Sequence, residues 1–198
     1  MSALSQEMRG LDNVPLRSNT GIPSGRLAVW LLLSGEIVIF GGLVTAYMLQ
    51  RLSNLDWAES AHHTNTYIGA FNAVVLLTSD LFVVMAHAAA QKKDKDNAVK
   101  FINLTILLGL LFLAVKTFEY SSEISHGLTP VAGVFWTYYY LITGIHASHI
   151  VAGVLALFFV SLNVKKGQHF QRVEYAGIYW HFVDMVWLIV FPLLYIAK

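Results

Sequence analysis

Polar and apolar positions along this chain are segregated into blocks. Five long apolar runs, at about 27–49, 66–90, 101–118, 131–162 and 175–197, are separated by short polar stretches. Each run is apolar around its whole circumference, without the single stripe of a surface helix or the alternation of a membrane barrel strand. A hydrocarbon core about 30 Å thick is spanned by about 20 residues rising 1.5 Å each, so every run is long enough to cross. In lipid each backbone N–H and C=O must be paired internally, which selects helices. The pattern therefore predicts an all-α integral membrane protein, a bundle of five transmembrane helices. The fourth run exceeds a straight span and is expected to tilt or protrude. Its aromatic start, Phe-Trp-Thr-Tyr-Tyr-Tyr at 135–140, reads as an anchor in the headgroup layer.

Composition narrows the class. Of 198 residues 56% are hydrophobic and 13% charged, against about 25% charged in a soluble domain. The polar stretches leave no room for a separate soluble domain. No cysteine is present, which excludes disulfides, thiolate metal sites and iron–sulfur ligation. The net charge of +1 conceals a strong positional bias, and no nucleic-acid partner is expected.

The distribution of charge predicts orientation. Arg9, Arg17 and Arg26, then Lys92, Lys93, Lys95 and Lys100, then Lys165, Lys166 and Arg172 fall on one side of an alternating topology, ten of the thirteen basic residues. Arg51, Lys116 and Lys198 fall on the other. The positive-inside rule then puts the N-terminus in the cytoplasm and the C-terminus outside, periplasmic in a bacterium. Residues 1–26, polar and lacking the apolar region of a secretory signal, read as a cytoplasmic tail, partly disordered, ahead of a transmembrane domain at 27–198.

The chemistry lies in polar residues inside the runs: Glu36 in the first, Asp80 and His87 in the second, Lys116 and Glu119 at the outer end of the third, His146 and His149 in the fourth, His181 and Asp184 in the fifth. A charged side chain at mid-membrane costs about 2.5–3.5 kcal/mol on insertion scales, so these groups are expected to face other helices and to be paired or neutral. His146 and His149, and likewise His181 and Asp184, are three apart and share a helix face. Glu36 and Asp184 fall at similar depth and would share a proton or a histidine if the first and fifth helices touch. Three readings stay open for this set: interhelical glue, a proton or ion route, and a metal or haem site on the histidines. Gly35, Gly41, Gly42, Gly144 and Gly153 are candidates for close helix approach.

Several local strings then converge. Glu174 to Leu188 contains Tyr-Trp-His-Phe-Val-Asp-Met-Val-Trp at 179–187, which resembles the last-helix signature of subunit III of haem–copper oxidases. Thr-Gly-Ile-His-Ala-Ser-His at 143–149, with Gly153, resembles the family's Thr-Gly-x-His-Gly-x-His segment, with Ala147 in place of the usual glycine. Ser34-Gly35-Glu36-Ile37 is similar to its Ser-Glu motif, with Gly35 inserted or in the serine's place. The stretch from Asn72 to Ala86-His87 and the string Phe118-Glu119-Tyr120 match the two helices between. The likeness runs from Gly25 to Ile196 and fits the short five-helix bacterial form.

That resemblance implies an accessory subunit of a cytochrome c or quinol oxidase, in a bacterial cytoplasmic membrane, with no cofactor or metal of its own. Haem and copper would sit in partner subunits: the catalytic subunit I, subunit II and small subunits. It implies contact with the catalytic subunit, bound phospholipid, and support for proton uptake. Glu36, His87, Glu119, His146, His149, Glu174, His181 and Asp184 would form the polar interior, and Arg26, Lys100 and Arg172 would meet lipid headgroups. Two alternatives remain at this level: a nitric-oxide-reductase-associated relative, and an independent small transporter or proton channel.

Overall fold

The computed structural model describes residues 24–54 and 57–197, and every regular element among them is helical. The elements are α1 (Ser24–Ser53), α2 (Trp57–His62), α3 (Thr66–Gln91), α4 (Lys95–Ser125), α5 (Val134–Lys165) and α6 (Gln171–Phe191), continued by a π turn at Pro192–Ile196. Five of these are long and apolar enough to cross a membrane. Residues 1–23 of the expected tail, with Arg9 and Arg17, and Lys198 lie outside the described residues.

The helices are longer than the apolar runs because their polar ends carry their own termination chemistry. At the start of α3 the Asn65 side chain accepts from the Tyr67 and Ile68 N–H groups, and Asp94 caps α4 by accepting from Asn97 N. Such side chains satisfy the orphan donors of a first turn. α4 consequently starts before and ends after the run at 101–118. Three helices end alike. Gly127 and Gly167, at φ 80° and 73°, follow α4 and α5, and Lys93, at φ 58°, follows α3. In each case the left-handed residue and its successor donate back to the last turn, as Gly167 N does to Val164 O at 2.8 Å and Gln168 N to Asn163 O at 3.0 Å.

α3, α4, α5 and α6 form the packed body, while α1 lies on its flank against α5 and α6. The most apolar stretch of α1 is only 11% buried, against 44% for the last span. With 30 residues, α1 is about 45 Å long and overshoots a hydrocarbon core.

Trp180, Trp187, Phe112 and Tyr139 fill the centre. Gly109 and Gly153 let Trp180 between the helices: a Cβ at Gly153 would meet the indole at 2.8 Å, and one at Gly109 at 2.7 Å. The expectation of close approach thus holds at Gly153 alone of the five glycines named, because Gly35, Gly41, Gly42 and Gly144 face open space.

The aromatic start of α5 also departs from expectation. Phe135, Trp136 and Tyr139 are buried at 2%, 2% and 0% exposure. The short helix α2 covers them, with Trp57 edge-on to Tyr47 and Phe135 at 5.0 and 5.5 Å between ring centroids. Beneath this cap, carbonyls of the π turn accept from side chains of the other helices. Tyr47 Oη donates to Leu193 O at 2.7 Å and Thr66 Oγ1 to Tyr195 O at 2.9 Å.

Candidate functional site

Two histidine–carboxylate pairs stand near the middle of the spans. His149 Nε2, on α5, lies 2.8 Å from Glu36 Oε2 on α1, and its Nδ1 bonds to Ile145 O on its own helix at 2.8 Å. Phe40 meets the imidazole edge-on, and Tyr179 Oη on α6 donates to His149 O at 3.3 Å. Three helices therefore converge on His149. The second pair joins α3 to α6, where His181 Nδ1 contacts Asp80 Oδ1. The two pairs differ in exposure: the side chains of His149 and Glu36 are 17% and 16% accessible, those of His181 and Asp80 40% and 31%.

Neither pair is the one expected from depth. Glu36 takes His149 as partner, whereas Asp184, 4% exposed, has Asp80 of α3 as an ionisable neighbour. Among the described residues neither oxygen of Asp184 makes a hydrogen bond, nor do the Asn72 amide, the His146 ring nitrogens or Trp187 Nε1. His146 and His149 leave α5 toward different surroundings. His146 is fully buried against Phe112 and Trp187, with ring centroids 5.5 and 5.1 Å away.

Toward the α2 end lies a closed ionic network. Lys116 on α4 is 2% exposed, and its ammonium reaches Glu119 Oε2 at 3.0 Å, Tyr139 Oη at 3.1 Å and Tyr195 Oη at 2.5 Å. All three N–H groups are thereby used. Tyr139 and Tyr195 each donate onward to Glu119 Oε1 at 2.7 Å. The Tyr139 ring centroid, 4.7 Å from Nζ, adds a cation–π contact. Lys116, counted from sequence as an outer charge, is thus an interior one. A half-polar cavity of about 470 Å³ borders Glu119 and includes Glu123, His63 and His126.

The remaining candidates are peripheral. His87 bonds to Gln91 one turn along α3, with nitrogens 2.9 Å apart. Glu174 pairs with Arg26 across α6 and α1. Arg172 borders an apolar groove of about 500 Å³ between α1, α5 and α6, formed by Val29, Leu32, Ala156 and Tyr175 among others; Lys100, exposed on α4, is not part of it.

Sequence reasoning missed Tyr139, Tyr195, Asn72 and Glu123. The available signal was Lys116 itself, since a lysine within an apolar run needs partners, and phenols are the polar groups such helices carry most cheaply. Chemically the interior offers hydrogen bonding and proton sharing. Among the described residues no group of three or more His, Asp or Glu side chains is arranged to hold a metal ion.

A family model described as cytochrome c oxidase subunit III matches residues 17–198. The chain belongs to the cytochrome c oxidase subunit III family. Curated relatives agree: a Corynebacterium diphtheriae protein named cytochrome c oxidase subunit 3 is 33% identical over 175 residues, covering 85% of each chain. One of the same name from Thermostichus vulcanus is 30% identical over 175 residues, covering 86% of each. An Aeropyrum pernix protein named heme-copper oxidase subunit I+III is 29% identical over 183 residues, which are 87% of this chain and 22% of that one. The motifs that carried the resemblance, around Glu36, His149 and His181, are thus the helix-joining pairs of a subunit III family member.

Proposed function

We propose that this chain is the accessory subunit III of a proton-pumping haem–copper terminal oxidase, stabilising a catalytic subunit that holds the haem and copper. It lies in a bacterial cytoplasmic membrane with its N-terminus inside, packs beside subunits I and II, and contributes no redox centre. The observation that carries the reading is the use of its family-motif residues. Glu36, His149, Asp80 and His181 are spent joining helices in pairs, as suits a rigid partner. The fused subunit I+III relative supports the pairing with a catalytic subunit, because in that protein both names belong to one chain.

Two finer roles follow. Phospholipid occupies the apolar groove ending at Arg172, whose guanidinium meets the headgroup phosphate, with Arg26 close by on Glu174. Support for proton uptake falls to the buried carboxylates near mid-depth. The test is the intact oxidase carrying Glu36→Gln or Asp184→Asn. Haem content per complex is expected to be unchanged, with a shortened active lifetime during turnover. Loss of haem in either variant would contradict an accessory role.

A further inference from the structure

The lipid-facing surface of the bundle is uneven in chemistry. On α4 and α5 it carries Leu107, Leu110, Leu111, Val151, Leu155 and Phe158, all exposed. Exposed hydroxyls there are turned back on their own helix, as Thr117 Oγ1 is to Leu113 O and Ser148 Oγ to Ile145 O. Such a face suits acyl chains. The α3–α6 face differs. Near the middle of both helices it holds Asp80 and His181, ionisable side chains 31% and 40% accessible.

These two lie on continuous stripes. Leu77 and Val84 flank Asp80 at i−3 and i+4, and Met185 and Leu188 follow His181 at i+4 and i+7. All four are exposed, between 43% and 61%. Beside the His181 stripe runs an apolar groove of about 300 Å³ between α1 and α6, lined by Ile37, Gly41, Val44, Phe182, Met185 and Ile189. Gly41 has nothing within 4 Å of where a side chain would start, so the groove is open to an approaching group. The surface therefore combines a recess for a bulky apolar side chain with a partly accessible histidine–carboxylate pair, beside which Asp184 lies buried. Ionisable groups in a membrane are placed against protein or water, and no described residue covers the accessible side of this pair.

We propose that the α3–α6 face centred on Asp80 and His181 is where this chain docks on the catalytic subunit of its oxidase, against a membrane helix presenting a hydrogen-bonding side chain at mid-depth. The partner's identity rests on the subunit III reading above. The position of the face rests on the exposure of the pair. A polar contact from the docked helix covers the accessible side of the pair, and the apolar groove sets that helix's register.

The experiment places the photo-crosslinker p-benzoylphenylalanine singly at Leu77, Leu188, Leu107 or Leu155 in the full chain, expressed in its native membrane. Illumination at Leu77 and Leu188 is expected to give at least tenfold more adduct with the catalytic subunit than at Leu107 and Leu155. Adduct confined to Leu107 and Leu155, or only lipid adduct at Leu77 and Leu188, would overturn the assignment. A second measurement uses the double variant Asp80→Leu/His181→Leu. Its expected result is normal accumulation in the membrane with at least tenfold less chain retained on the catalytic subunit; undiminished retention would overturn the proposal. If the unsubstituted chain recovers no haem–copper subunit, the oxidase reading itself falls, an outcome distinct from a misplaced face.

Discussion

His149 Nε2 lies 2.8 Å from Glu36 Oε2, joining α5 to α1 across 113 positions of sequence. α1 is the least buried of the long helices, and this bond ties it to the body together with Arg26–Glu174 and Tyr47 Oη–Leu193 O. Removing either partner leaves the other without its bond in a mostly buried position. Glu36→Ala and His149→Ala are each expected to destabilise, and the double variant to fall short of the sum by about 0.5–3 kcal/mol. Thermal unfolding in mild detergent checks this. Strict additivity would mean that the pair contributes no coupling.

The Lys116 network predicts an asymmetry. Lys116→Met leaves Glu119 as an uncompensated buried charge and is expected to cost about 3–5 kcal/mol, whereas Lys116→Met with Glu119→Leu recovers most of that loss. Denaturant or thermal midpoints of the single and double variants compare the two. Equal loss in both would show that the charges, and not their pairing, stabilise this end.

Packing around Trp180 gives the third expectation. A methyl at Gly153 would meet the indole at 2.8 Å, and overpacking of this kind costs about 1–3 kcal/mol. Gly144→Ala, where nothing lies within 4 Å, is expected to be near neutral in the same melting assay. The contrast between the two alanines is the informative readout.

The turn between α3 and α4 carries the fourth. Lys93 adopts φ 58°, a conformation that costs a side-chain-bearing residue about 1–2 kcal/mol. Lys93→Gly should be stabilising by about 0.5–1 kcal/mol once the greater freedom of glycine in the unfolded chain is subtracted. Next to it, the Asn97 side chain and then its backbone N–H hold the Asp94 carboxyl below its ordinary 3.8. A depressed carboxylate stabilises the fold fully above its unfolded value, and the contribution fades as pH falls through the lower folded value. Carbon-13 titration of Asp94 should find a midpoint below 3.8, rising toward it in Asn97→Ala.

Much of this was legible in the sequence. Five apolar runs announced the helices, and the strings around Glu36, His149 and His181 announced the family, because both signals are local. What stayed hidden was long-range pairing. The sequence puts Glu36 and Asp184 at similar depth, yet depth does not state which helix faces which, and the structure gives Glu36 to His149 and Asp80 to His181. The aromatic start of α5 read as a headgroup anchor because aromatics suit that layer; its burial depends on α2, too short a helix to leave a periodic signal. Likewise Tyr139 and Tyr195 become partners only when α4, α5 and the final π turn meet around Lys116.

On the reading proposed above, the chain functions inside a haem–copper oxidase. Affinity purification from its native membrane in mild detergent, with subunit identification, a reduced-minus-oxidised visible spectrum and an oxygen-consumption assay, tests it most directly. On this reading, co-purification with a haem–copper catalytic subunit, haem bands in the spectrum and oxygen-reducing activity are the expected outcome. Recovery of a colourless chain free of any oxidase subunit would contradict it.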